Sequence, residues 1–419
     1  MYNLFELDNK LKIIAEDINY VNSVCIGLWI KNGSRNENKK NNGISHFIEH
    51  MLFKGTTNKN SMQIASVIED VGGQLNAFTG KESTCYYIKV LNSHLDLSLE
   101  LLSDMLFNSL FDDKEIEKEK SVIDEEINMT EDDPEDILID LHNKAVWGND
   151  PIALPILGSS ANVNSFTRQD IMNFIKENYI PSNSVISISG NFSQSEIAKK
   201  IEKYFGHWND SVTTKPKYTT PLIQNNHLYK NKPIEQLHMS LGIEGLPLGD
   251  PNLYSLLVLS NLIGGGASSI LFQKLREDMG LCYSIYTYVS SYKNTGLLSI
   301  YSGLSPAYGE TSISAIKEEL DKFVKLDLRK SDIDKSKEQL KGSYILSHEN
   351  TSSRMFGNGK SILLLNEYYS PVDIMKKIDK IDQDSLKYVI DKTLKQGIVN
   401  SAFIGNIENP ESLIKVVQN

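Results

Sequence analysis

The sequence predicts an α+β protein made of two related halves, and three observations carry that reading. Apolar strands ending in Gly-Asn recur as Val185–Asn191 and Ser401–Asn406, each followed by an acidic helix start near Ser195-Glu196 and Pro410-Glu411. Each half begins with strand-like apolar runs and passes into a helix-rich stretch before that closing strand. Between them, Asp210 to Asn226 is rich in Thr, Pro, Lys and Asn and reads as a linker. The expected domains are therefore 1–212, a linker over 213–228, and 229–419, each half large enough for a core of its own.

Taken in order, Met1 to Ile14 alternates like a strand, and Ser23 to Trp29 is an apolar strand leading into the turn Asn32–Glu37. Gly43-Ile44-Ser45 opens an amphipathic helix that continues through Met51-Leu52-Phe53. Gly72-Gly73 precedes a short strand to Thr79, and Ser83 to Val90 reads as the next strand. Lys114 to Asn128 is an acidic helix. In the second half, Leu253 to Ile263 is a plain apolar helix, and Gly264-Gly265-Gly266 reads as its end and a turn before Ser268 to Arg276. No Gly-Lys-Ser/Thr follows those glycines, so a phosphate-binding loop is not indicated. A Gly-x-Ser-x-Gly nucleophile elbow is also absent.

The chemistry concentrates in His46-Phe47-Ile48-Glu49-His50. On a helix, positions i and i+4 share a face about one turn apart, so His46 and His50 can hold one ion together. Glu49 projects close to that face, where a carboxylate can poise a water at the metal without being a ligand. The pattern H-x-x-E-H inverts the H-E-x-x-H zinc helix and is a zinc-peptidase signature in its own right. A catalytic zinc needs a third protein ligand and one open position. The acidic helix is the best source of that ligand. Glu119 and Glu126 lie two turns apart on one face, with Val122 and Ile123 between them expected to pack inward, but spacing alone leaves Glu119, Glu125 and Glu126 open.

The segment Gly43–Thr56, GISHFIEHMLFKGT, resembles the active-site helix of the M16 metallopeptidases, the insulinase and pitrilysin family that includes the mitochondrial processing peptidase. The string Met129–Pro134 is similar to the small bacterial members. The resemblance implies two homologous α/β-sandwich halves, each an antiparallel-rich sheet covered by helices, together half of a clamshell. It implies Zn2+ held by His46, His50 and Glu126, with Glu49 as general base and Glu119 orienting the site from behind. Gly72–Thr79 resembles the family's edge strand for extended substrate, placing Gly73, Asn76, Ala77 and Phe78 against the peptide; paired glycines and an open edge suit that role. The second half has no H-x-x-E-H, but Arg276 and Tyr283 match a family pair that binds substrate and stabilises the tetrahedral intermediate. The implied activity is a zinc endopeptidase cutting extended or unfolded peptides, and the implied assembly is a homodimer. The alternative is a non-catalytic M16-like binding subunit.

At 40% hydrophobic and 23% charged residues the composition is that of an ordinary globular chain. No apolar run is long enough for a membrane span, and the N-terminus lacks a signal or transit pattern, which predicts a cytoplasmic protein with no membrane partner. A net charge of −11 argues against a nucleic-acid partner. Cys25, Cys85 and Cys282 are scattered and read as buried free thiols. His94, His142, His207, His227, His238 and His348 are isolated and read as structural or surface residues.

Overall fold

Apolar runs buried on both faces form the central strands of two sheets, and the alternating strands Tyr2–Glu6 and Gln74–Thr79 lie at the edges of the first. The computed structural model describes residues 2–209, 218–325 and 328–419. The first sheet is formed by β1 (Tyr2–Glu6), β2 (Lys12–Asp17), β3 (Ser23–Ile30), β4 (Gln74–Thr79), β5 (Thr84–Leu91) and β6 (Ser184–Gly190), in the order β1-β2-β6-β3-β5-β4. The second is formed by β7 (His227–Asn231), β8 (Leu237–Glu244), β9 (Cys282–Tyr292), β10 (Thr295–Leu304) and β11 (Asn400–Gly405), in the order β7-β11-β8-β10-β9. Without β1 the two orders superimpose strand for strand. Even the one parallel pair recurs, β2 with β6 and β7 with β11, while every other pair is antiparallel. The two Gly-Asn strands, β6 and β11, hold equivalent places, so the α+β class with two homologous, antiparallel-rich halves is what the chain adopts.

Two local expectations change. The N-terminal strand is two antiparallel strands, β1 and β2, because the chain reverses between Leu7 and Leu11 with Lys10 at φ 73°. The linker's residues 213–217 lie outside the described residues, and its far end overlaps β7, which starts at His227. Past the glycines, the segment holding Arg276 forms a π-helix over Phe272–Asp278.

The chain groups into two compact units that are discontinuous in sequence. One comprises Met1–Asn128, Leu154–Lys217 and Ser347–Tyr368; the other comprises Met129–Ala153, Tyr218–Leu346 and Tyr369–Asn419. The reason is that each sheet has two apolar faces, and each half covers only one of them with its own helices. In the first unit, Val24, Ile26, Leu28 and Ile30 of β3 face Phe47, Ile48, Leu99 and Leu102 in the main core. The opposite face, with Gly27 and Trp29, is covered by the helix Thr351–Leu365 from the second half of the sequence. The approach is close: a Cβ on Gly27 would sit 2.4 Å from Met355 Sδ, and one on Gly359 would sit 2.2 Å from Trp29 Nε1. Ser187 Oγ donates to Met355 O at 2.8 Å, tying that helix to β6.

The second unit mirrors this arrangement. Its sheet packs on one face against Leu256, Leu259, Ile263, Ile313 and Ile316. On the other face lies the helix Pro134–Trp147, capped by Asp133, whose Ile137 and Leu138 meet Tyr301, Ala402 and Ile404. His142 of this helix is fully buried between Ser240 Oγ (2.7 Å) and Asn400 Oδ1 (3.0 Å), and burial pushes its pKa down to about 4. Tyr301 donates to Glu135 Oε1 at 2.9 Å. Among the described residues, no helix is long and apolar enough to cross a membrane. All three cysteines are buried and unbridged.

Candidate metal centre

The histidine helix spans Ile44–Met51, and Ile44, Phe47, Ile48 and Met51 bury its apolar face against the first sheet. That packing turns His46 and His50 the same way, with ring centroids 4.5 Å apart. The acidic helix spans Asp113–Asp132 and packs through Ile116 and Ile123. Val122, expected to pack inward, is instead exposed, because the buried stripe runs through positions 116, 119, 120 and 123. That register brings Glu126 to the histidines.

Glu126 Oε2 lies 3.5 Å from His50 Nε2 and 3.7 Å from His46 Nε2. One donor atom from each of the three residues falls within 4.8 Å of the others. Zinc bonds of about 2.0–2.2 Å in tetrahedral geometry place donors about 3.4 Å apart, so two imidazole nitrogens and a carboxylate at these spacings fit that ion. The Glu126 side chain is 41% exposed, which leaves solvent access on one side of the cluster. Glu119, by contrast, is buried. It accepts from His50 Nδ1 at 2.8 Å and from Lys54 Nζ at 2.5 Å. A proton on His50 Nδ1 leaves the Nε2 lone pair directed into the cluster. Spacing left three glutamates open; the structure brings Glu126 into the cluster and puts Glu119 behind His50.

The electrostatics suit cation binding. Burial, with a smaller push from His50, depresses His46 to about 3, so its imidazole is neutral near pH 7. Burial also pushes Glu119 up, but the hydrogen bonds from His50 and Lys54 and the Lys54 charge outweigh it, and its carboxyl is held below the usual range. Glu49 moves the other way. Burial raises it, opposed by a 2.5 Å hydrogen bond from Thr79 Oγ1 to its Oε2 and by His50, and reinforced by the Glu126 charge.

Three residues here were not singled out from sequence. Lys54 follows His50 at i+4, a spacing that could have revealed it. Thr79 ends β4, and only the fold brings it to Glu49. Glu37 reaches the start of the histidine helix from the preceding turn.

β4 is an edge strand, paired only with β5 among the described residues. Asn76 and Phe78 are exposed on it and Ala77 is half-buried. Gly73 lies just before it, and the reason for glycine there differs from the one expected. A Cβ on Gly73 would meet Val90 Cγ1 at 2.6 Å and Ile68 Cγ2 at 2.7 Å, so internal packing demands glycine. Gly72 is required by its φ of +71°. In the second unit, Arg276 and Tyr283 come together, the guanidinium carbon 5.2 Å from the phenol ring centroid and 4.6 Å from that of Phe272. Arg276 lies on the π-helix, and Tyr283 is 76% exposed at the start of β9.

Comparison with known proteins agrees with this organisation. The family profile described as insulinase (peptidase family M16) matches residues 12–160, and that of the peptidase M16 inactive domain matches 165–340. The chain is 43% identical over 385 residues to an uncharacterized zinc protease of Bacillus subtilis, covering 91% of this chain and 93% of the relative. It is 34% identical over 405 residues to an uncharacterized zinc protease of Rickettsia felis, covering 96% and 97%. Among solved structures, a protease from Helicobacter pylori superimposes with a TM-score of 0.89 at 22% identity, covering 96% of this chain and 99% of that one, a likeness of fold. With its inverted zinc motif in the first half and none in the second, the chain belongs to the M16 (insulinase) family of peptidases.

Proposed function

We propose that the chain is a zinc-dependent endopeptidase acting on extended or unfolded peptides. The observation that carries this reading is the convergence of His46, His50 and Glu126, from two different helices, beside the half-buried Glu49. A zinc ion held by those three residues supplies Lewis acidity toward water and the scissile carbonyl. Glu49 is the general base. Thr79 occupies its Oε2, leaving Oε1 to accept a proton from the attacking water and pass it to the leaving amide nitrogen. Glu119 holds His50 through Nδ1, and Lys54 holds Glu119.

The peptide pairs along β4, whose outer backbone N–H and C=O groups recognise any extended chain, with Gly73, Asn76, Ala77 and Phe78 beside it. Arg276 and Tyr283, paired within the second unit, are the proposed hydrogen-bond donors to substrate and to the developing oxyanion. The proposed assembly is a homodimer, since one chain carries both the histidine motif and the Arg/Tyr pair; light scattering that gave a fully active monomer would remove it. A cytoplasmic location is part of the same reading.

The test is cleavage of a mixed, unstructured peptide library by wild type and Glu49→Gln, with products read by mass and zinc content assayed in both. Cleavage by wild type alone, at equal zinc content, supports the reading. No cleavage by zinc-loaded wild type would overturn it in favour of a binding subunit.

A further inference from the structure

The histidine helix begins without a cap of its own. Its N-cap is Gly43, at φ 99°, which has no side chain to offer the first backbone N–H groups. No other residue fits there: besides the positive φ, a Cβ would lie 2.6 Å from Leu157 O. The missing acceptor comes from Glu37, six residues upstream. Its Oε2 accepts from Gly43 N and from Asn42 Nδ2, and its Oε1 from Ser45 N, all at 2.8 Å. The Ser45 hydroxyl bonds to Glu37 as well, and its Oγ accepts from the fully buried Asn32 Nδ2 at 3.0 Å. Asn42 is anchored in turn to Pro155 O at 2.8 Å. Glu37 itself is only 3% exposed. Burial pushes its carboxyl up and these donors oppose the push. Each of these backbone and amide partners donates, so the pocket matches a carboxylate, and a negative charge at a helix N-terminus is favourable.

The two histidines differ in what fixes them. His50 is held through its ring by Glu119, whereas the Nδ1 of His46 is buried without a hydrogen-bond partner. The aim of His46 therefore depends on the backbone it grows from, and that backbone begins at Ser45, which Glu37 holds. An eight-residue helix has little stability of its own, so its ends decide where it sits. We infer that Glu37 is a positioning residue for the metal centre, fixing the first turn of the histidine helix so that His46 meets His50 and Glu126. It does for His46, through the main chain, what Glu119 does for His50 through the ring. The inference rests on the metal-site reading above.

The experiment compares wild type, Glu37→Gln, Glu37→Ala and a control, Glu16→Gln, in the full chain. Glu16 is also buried and accepts from Arg354 Nη1 (2.7 Å) and Asn358 Nδ2 (3.0 Å) in the same unit, away from the histidine helix. Co2+ and Zn2+ affinities are measured by competition with a chromophoric chelator. Amide hydrogen exchange over residues 43–51 is followed in the metal-free proteins, and thermal midpoints are recorded for all four.

Loss of an orienting partner typically costs about 10–100-fold in metal affinity. The expected result is a loss of that size in both Glu37 variants, with faster exchange of the histidine helix, while Glu16→Gln lowers the midpoint and leaves affinity within twofold of wild type. If Glu37→Ala does not fold, Glu37→Gln decides, because Gln retains one acceptor and presents an amide donor to the other N–H. Unchanged affinity and unchanged exchange in Glu37→Gln overturn the inference. So does an affinity loss that tracks the midpoint equally in Glu16→Gln. If wild type binds neither metal, the metal-site reading fails, and the positioning role in metal binding falls with it; exchange over 43–51 then reports separately whether Glu37 anchors the helix.

Discussion

Thr79→Val offers a sharp test of how the base is held. Valine keeps the β-branched shape at the end of β4 and removes only the hydroxyl, which lies 2.5 Å from Glu49 Oε2 and 3.3 Å from Thr84 Oγ1. A hydrogen bond to a charged acceptor contributes about 1.5–3 kcal/mol, and this one acts chiefly on the ionised form of Glu49. Burial already raises the Glu49 carboxyl and the Thr79 hydroxyl opposes that rise, so removing the hydroxyl raises it further. The base must be ionised to accept a proton. The acidic limb of kcat/KM should therefore move to higher pH, by about one to two pH units at 1.36 kcal/mol per unit. KM should change little, because the outer N–H and C=O groups of β4 remain. The assay is hydrolysis of a quenched-fluorescence peptide between pH 5 and 9, with zinc content checked and Thr79→Ser as the rescue. A folded, zinc-replete Thr79→Val enzyme with an unmoved acidic limb would refute the reasoning.

Glu119→Gln should weaken zinc by about 10–100-fold by loosening His50, read by chelator competition. Glu126→Gln should lose activity at stoichiometric zinc, whereas wild type stripped by a chelator should recover fully on zinc addition. His142 gives a pH-dependent stability. Its folded pKa, about 4, lies below the ordinary imidazole value of about 6.5, so the unfolded chain takes up the proton first. Stability is then unaffected above about pH 6.5 and falls as pH drops toward 4. Between pH 7.5 and 4.5 wild type should lose about 2–3 kcal/mol more than His142→Gln in urea unfolding, and parallel profiles would sink the assignment.

How far the sequence reads ahead depends on whether a signal is local. The histidine helix is legible because His46, Glu49 and His50 lie within one turn and a hydrophobic stripe fixes their face. The sheet repeat is legible through β6 and β11, which keep their Gly-Asn ends. Glu126 could not be separated from its neighbours by spacing, because that choice depends on how the acidic helix is rotated, and Val122 shows the rotation was not evident from its apolar residues. Thr79 and Glu37 are ordinary loop and strand-end residues until the fold sets them beside Glu49 and Ser45. The exchange of helices is equally hidden, since an amphipathic pattern says that a helix covers a sheet but not which one.

That exchange bears on how the protein is made. The first sheet is complete in sequence by Gly190, yet the helix that closes its Gly27–Trp29 face ends at Leu365. On the ribosome, the nascent first unit must wait through the synthesis of nearly the whole second sheet with that apolar face uncovered. The Pro134–Trp147 helix emerges in turn before any strand of the sheet it covers. A fragment ending at residue 212 would keep His46, His50 and Glu126 and still lack the helix that covers the Gly27–Trp29 face of its sheet.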